Sequence, residues 1–309
     1  MILFCGEALM DMLPDQNSKG EAVLRPVCGG AALNSAIATG RLGQACGMVT
    51  GLSVDGFGMQ IQSALEAARV DHTSTIRSNR PTTLAVVTLS DGDAVYTFYD
   101  EGSAGRMITA DDMPTAGKNV AALVFGGISL IPDPCGSAYE AMAERHADTH
   151  LIYLDPNIRP GFVSDEAAYR ARLERLFACA HIVKISDDDL AWLMPDMSVA
   201  DGIAALLAKG VQTVLHTKGG DGSTAHSTSG SVSAPAPKIT VVDTVGAGDT
   251  FNGAFLTALA HHNALSAGAL ANLSDETMVE VLSFANRAAA ITASRHGANP
   301  PTFLELQHA

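Results

Sequence analysis

Apolar residues follow two rhythms along this chain. Six short runs, MILFCG (1–6), AALVFGG (121–127), LIYLD (151–155), HIVKI (181–185), VQTVLHT (211–217) and ITVVD (239–243), are apolar at almost every position. Half-buried strands alternate, whereas strands covered on both faces do not, so these runs predict buried parallel strands. Between them, apolar residues recur at helical spacing at about 30–42, 57–69, 137–147, 166–178, 198–209, 249–262 and 276–293. Strand then helix, repeated, predicts a wound α/β sheet with helices on both faces.

Two segments break the alternation. Residues 12–28 show no helical period, and TTLAVVTLSDGDAVYTFY (82–99) reads as two strands joined by a turn containing Asp91-Gly92. An antiparallel piece set into a parallel fold suggests a small sheet that covers a ligand at the carboxyl ends of the strands, with an ordinary edge hairpin as the plainer alternative. No linker, heptad pattern or internal repeat divides the chain. One domain, 1–309, with a β-lid built from about 12–28 and 82–105, is the expectation.

Composition narrows the partners. With 309 residues, 47% of them hydrophobic, the chain can fill one large core. A formal charge of −14 sets nucleic acid and anionic membranes aside, so an anionic substrate depends on local cations and helix N-termini. Cys5, Cys28, Cys46, Cys135 and Cys179 are widely spaced without a C-x-x-C pair, which predicts reduced thiols and a cytoplasmic protein. The start, MILFCGEALMD, has no basic region, and Glu7 interrupts its apolar run, so no secretory signal is expected. Residues 250–274 carry no formal charge, but His261, His262 and Asn263 break the stretch, which reads as a surface-touching helix and loop.

The chemistry concentrates in DTVGAGDTFNGAFL (243–256). Two glycines flank Ala247, and Asp249 follows at the mouth of an apolar helix. Backbone N–H groups and the positive end of the helix dipole make that mouth an anion hole. Asp249 is then either a first-turn cap, stabilised by about 0.3–1 kcal/mol, or a catalytic carboxylate. The stretch does not complete G-x-G-x-x-G, because Phe251 takes the last glycine's place, and no G-x-x-x-x-G-K-[ST] occurs.

This stretch resembles the C-terminal signature of the PfkB, or ribokinase-like, family of sugar kinases. CGGAALNSAIATGRLG (28–43) and TGLSVDGFG (50–58) are similar to the family's N-terminal signature. DPNIRP (155–160), KISDDDLAWL (184–193), TKGGDG (217–222) and ANRAAAITASRHGANPP (285–301) follow in family order. The resemblance implies a three-layer α/β/α fold with a mostly parallel sheet and a small β-lid, and transfer of the γ-phosphoryl of ATP to a hydroxymethyl group with Mg²⁺.

It also implies roles. Asp249 is the base, and the N–H groups of Gly246, Ala247 and Gly248 form the anion hole. Asp11, Gly29, Gly30, Asn34 and Arg159 bind the acceptor. Lys184, Ser186, Asp189, Thr217, Gly219, Gly222 and Asn286 lie on the nucleotide side. Ser186 and Asp189 stand where the family has asparagine and glutamate, and Asp188 is the substitute should the shorter Asp189 not reach. Asp243 and the carbonyl of Val245 match a monovalent-cation (K⁺) site. GEALMDMLP and FYDEGSAGRMI (98–108) resemble the fructokinase branch, which implies fructose as acceptor and fructose 6-phosphate as product. A 2-keto-3-deoxygluconate kinase, for which Arg106 is the available cation, and a ribokinase are alternatives. A silent sugar-binding regulator is the reading from another class. Relatives dimerise through the lid. His146 and His150 read as a solvated helix face, and Trp192 as core packing.

Overall fold

The computed structural model describes residues 1–90 and 93–308, so Asp91-Gly92 of the expected turn lies outside it. Eight strands form the main sheet. β1 (Ile2–Cys5) lies between β4 (Cys46–Val49) and β9 (Ala122–Gly126). Beyond β9 come β10 (Leu151–Asp155), β11 (Ile182–Ser186) and β12 (Thr213–Thr217), and all six strands are parallel. β13 (Ser223–Ser227) and β14 (Gly230–Ala234) complete that edge antiparallel.

The continuous apolar runs have a direct cause. Along β1, Ile2 and Phe4 enter one core, while Leu3 and Cys5 enter the other. Along β10, Leu151 and Tyr153 face the first core, and Ile152 and Leu154 the second. The first core is covered by α1 (Ala31–Arg41), α2 (Gly56–Ala67), α7 (Ala247–His261), α8 (Ala267–Ala271), α9 (Asp275–Ala293) and α10 (Phe303–Gln307). The second lies under α3 (Cys135–His146), α4 (Glu166–Cys179), α5 (Asp187–Leu193) and α6 (Val199–Ala208). No helix among the described residues is long and apolar enough to cross a membrane.

A second sheet has the order β3-β2-β7-β8, from β2 (Leu9–Gln16), β3 (Ala22–Gly29), β7 (Leu84–Ser90) and β8 (Asp93–Tyr99). It contains both segments that broke the alternation. β5 (Gly51–Ser53) and β6 (Ile76–Ser78) form a separate two-stranded parallel ribbon.

Two expectations are corrected. ITVVD (239–243) is not a strand. The main sheet ends at Ala234, the prolines at 235 and 237 carry no N–H for a ladder, and Ile239, Val241 and Val242 stay exposed. The segment instead hangs on the end of α9, with the N–H groups of Val242 and Asp243 donating to the Ala293 carbonyl at 2.9 and 3.2 Å. His146 is not on a solvated face. It is 4% exposed, and its Nε2 accepts from the Ala116 N–H at 3.3 Å. Burial, then His150 and Arg145, hold its pKa below the ordinary histidine value. Trp192 is half-buried against Tyr169 and lies 4.1 Å beneath the Arg170 guanidinium.

Candidate active site

The start of α7 is shaped by Gly246, which caps the helix at φ 74°. A side chain is strained in that left-handed turn, and a Cβ there would strike Ala298. The first N–H groups of a helix have no partner within it. Here the Ala247 N–H donates to the Thr244 carbonyl at 3.2 Å. Among the described residues, the N–H groups of Gly246, Gly248 and Asp249 have no backbone acceptor.

Asp249 is buried, and its position is set by helix packing. At Gly253 a Cβ would crowd the Ser35 carbonyl and Thr39, so the bare glycine lets α7 press onto α1. Asn34 on α1 thereby donates from Nδ2 to Asp249 Oδ2 at 2.9 Å. Burial raises the Asp249 carboxyl to about 6; the Asn34 bond, Lys184 and Arg159 pull it down, and Asp155 pushes it further up.

Behind this carboxylate lies an ion pair that the sequence did not reveal. Leu154 pairs with Val183 across β10 and β11, and the next residues, Asp155 and Lys184, form a 2.8 Å salt bridge. Both are buried. Asp155 Oδ2 also accepts from Asn252 Nδ2 at 2.7 Å, and Asn252 Oδ1 from the Tyr153 hydroxyl at 2.8 Å. Burial pushes the Lys184 ammonium down, but Asp155, Asp189 and Asp249 overcome this and hold it above the ordinary lysine value. Its Nζ lies 3.4 Å from where a Gly248 Cβ would stand, which puts a fixed cation beside the free N–H groups.

Among the residues expected at the acceptor, a Cβ on Gly29 would collide with the Asp11 carboxylate, so the glycine makes room for it. Burial raises the Asp11 carboxyl to about 6. Gly30 packs against the backbone of Glu7. Glu7, noted in the sequence only as an interruption, is buried and accepts from the N–H groups of Ala31 at 2.9 Å and Ser129 at 3.3 Å. The exposed Arg159 side chain donates only to the carbonyls of Asn157 and Ile158, so its guanidinium meets no carboxylate among the described residues. Phe162, three residues on, meets Phe98 of the second sheet edge-on at 4.6 Å. Arg106 is engaged differently, donating to both oxygens of Asp100 at 3.1 and 3.2 Å and to the Asp133 carbonyl at 3.3 Å.

The residues that the resemblance puts on the nucleotide side differ in what they touch. Thr217 ends β12, and the turn to Gly222 closes with the Lys218 N–H on the Gly222 carbonyl at 2.9 Å. Gly219 and Gly222 both adopt positive φ, 51° and 90°. Asn286 is buried, donating to the Ala234 carbonyl at 2.9 Å and accepting from Ser223 Oγ at 3.0 Å. It therefore ties α9 to β13 and β14 rather than presenting its amide outward. Asp189 forms a capping box with Ser186 and accepts from the Ile158 N–H at 2.8 Å. That carboxylate clamps the Arg159 loop, and Asp187 and Asp188 are the exposed acids of this helix start. Asp243 accepts from the N–H groups of Val245 at 3.0 Å and Gly297 at 2.9 Å. Among the described residues, no group of three or more His, Cys, Asp or Glu side chains could hold a metal ion.

Known proteins carry the same framework. A model of the pfkB family of carbohydrate kinases matches residues 1–303. The fructokinase of Rhizobium leguminosarum bv. trifolii is 46% identical over 281 residues, which is 90% of this chain and 85% of that protein. Fructokinase-1 of Zea mays is 33% identical over 318 residues, covering 99% of this chain and 96% of its own. The solved structure of fructokinase with bound ATP from Xylella fastidiosa superposes with a TM-score of 0.91 at 26% identity, covering 99% of this chain and 97% of that one. The architecture is thus the ribokinase-like α/β/α arrangement expected from the sequence, and the chain belongs to the pfkB family of carbohydrate kinases.

Proposed function

We propose that this chain transfers the γ-phosphoryl group of ATP to the C6 hydroxymethyl of fructose, giving fructose 6-phosphate. The observation that carries the reading is the buried Asp249 carboxylate, held by Asn34 beside the unpartnered N–H groups of α7. The 46% identical relative is a fructokinase, which favours that acceptor within the family.

Asp249 accepts the proton of the attacking hydroxyl, an effect that contributes about 10²–10⁴-fold. The N–H groups of Gly246, Gly248 and Asp249 hold the charge on the moving phosphoryl, where each donor is worth about 10²–10³-fold. Lys184 adds a positive charge that is already desolvated and fixed by Asp155. Arg159, unpaired with any described carboxylate, reaches the phosphoryl path. Asp11 accepts from vicinal sugar hydroxyls across the space that Gly29 leaves.

ATP would supply the phosphoryl group, and Mg²⁺ would screen its phosphates. Mg²⁺ would keep most of its waters at such a site, so the exposed Asp188 suits it as an acceptor, Asp187 Oδ1 being already paired with His216 Nε2 at 2.7 Å, with Thr217, Gly219 and Gly222 along the phosphates and Asn286 stabilising the wall. Asp243 with the Val245 carbonyl suits K⁺. Residues 1–309 form one catalytic unit in this reading, and the second sheet closes as a lid with Tyr96 and Phe98 facing the acceptor. The exposed outer residues Val95 and Tyr99 on that sheet suit a lid-to-lid homodimer. Reduced cysteines suit a cytoplasmic enzyme.

The acidic acceptor 2-keto-3-deoxygluconate fits less well, because Asp100 already engages Arg106. A silent regulator has no use for a buried base. An ADP-release assay with fructose, ribose, 2-keto-3-deoxygluconate, tagatose and adenosine tests the reading. Highest kcat/KM with fructose supports it, and turnover confined to another acceptor overturns it.

A further inference from the structure

Next to the acceptor side, Glu7, Thr83, Asp100, Arg106, Ser129 and Phe162 line a cavity of about 20 Å³. That is room for about one water. The cavity adjoins the sugar site through Glu7, whose carboxylate caps the strand-to-α1 turn directly after Gly30. It also adjoins it through Phe162, which follows Arg159 in the same loop. Arg106 is the one cation among its described lining residues, against the two acids Glu7 and Asp100.

Glu7 is fixed by two N–H donors and cannot turn away. Asp100 has a side chain only 10% exposed, and Arg106 Nη1 donates to both of its oxygens. A carboxylate brought to the edge of this cavity faces two negative groups, Glu7 and Asp100, and reaches Arg106 only by displacing Asp100 from a charge-assisted contact. A hydroxyl carries no charge to repel them and can donate to the Glu7 or Asp100 carboxylate.

We propose that Asp100 sets the charge class of the acceptor: by occupying Arg106 it withholds that cation from carboxylate-bearing sugars and leaves the site to neutral ones. The proposal rests on the neutral-sugar reading above.

The test is kcat/KM with fructose and with 2-keto-3-deoxygluconate for wild type, Asp100→Asn, Asp100→Ala, Arg106→Gln and the double variant D100N/R106Q. Thermal unfolding verifies that each is folded. Releasing a partly buried charge pair moves binding by about tenfold or more. The acid-to-neutral ratio should therefore rise about that much in Asp100→Asn and Asp100→Ala, and fall back in the double variant. In Arg106→Gln alone, where the lost cation was already engaged, the ratio should stay within about threefold. A ratio unmoved by the Asp100 substitutions overturns the proposal. So does an equal rise without Arg106, or a large loss of acid turnover in Arg106→Gln, which stands even if the Asp100 variants do not fold. Wild type inactive on fructose sinks the acceptor reading instead, and is told apart by the first column of the same assay.

Discussion

Asn34 and Asp249 are 215 residues apart in the chain, yet Asn34 Nδ2 donates to Asp249 Oδ2 at 2.9 Å. The contact joins the family's two signatures at one carboxyl group. It exists because Gly253 lets α7 lie against Ser35 and Thr39 of α1.

Asn34→Ala removes a bond that pulls the Asp249 carboxyl down. The acid limb of the kcat/KM profile should shift to higher pH, and kcat should fall by about tenfold or more as the base loses its orientation. A pH–rate series on both proteins measures this. An unshifted limb means Asn34 does not act on Asp249.

In wild type, the limb itself has a predicted place. Burial raises the Asp249 and Asp11 carboxyls to about 6, and the proposed mechanism uses both in the charged form. Activity should rise with pH through about 6, and below pH about 5 the slope of log kcat/KM against pH should approach two. A single-proton limb near pH 4 contradicts this.

Asp249→Asn should trade activity for stability. Folding raises this carboxyl from 3.8 to about 6, so its favourable contribution is whole below 3.8 and lost as pH rises through about 6. At pH 7.5 the folded state carries a poorly solvated anion, which asparagine removes. The midpoint of thermal unfolding should rise, by up to about 3 kcal/mol in stability terms, while turnover falls about 10²–10⁴-fold. At pH 4 the stability gain should shrink. Scanning calorimetry at the two pH values gives the answer.

Lys184→Gln leaves Asp155 buried without its cation. Breaking a buried pair costs about 3–5 kcal/mol, so the variant should melt markedly lower. Loss of Lys184 also removes a charge that lowers the Asp249 carboxyl, so the acid limb of any residual activity should move up in pH. An unchanged melt would mean the pair contributes nothing to folding.

Much of this was legible in the sequence, and the rest was hidden for physical reasons. The wound α/β order, the strand starts in LIYLD and HIVKI, and the mouth of α7 follow from local periodicity and glycine placement. The Asp155–Lys184 pair depends on β10 lying beside β11, which chain spacing does not state. Asp189 and Asn286 were expected on the nucleotide side from the resemblance, but their side-chain atoms are engaged with Ser186, the Ile158 N–H, Ser223 and the Ala234 carbonyl. ITVVD carries a strand's composition, yet among the described residues it pairs with no strand and hangs on the end of α9. β4 was missed because its four residues, CGMV, are too few to display a period.

The most direct measurement is the structure of the closed complex with fructose and a non-transferable ATP analogue. The account predicts an Asp249 carboxylate oxygen within about 3.2 Å of the C6 hydroxyl, hydrogen-bonding distance for a general base, with the Gly248 N–H directed at the terminal phosphoryl. A hydroxyl seated on some other carboxylate, with Asp249 facing only Asn34, contradicts it.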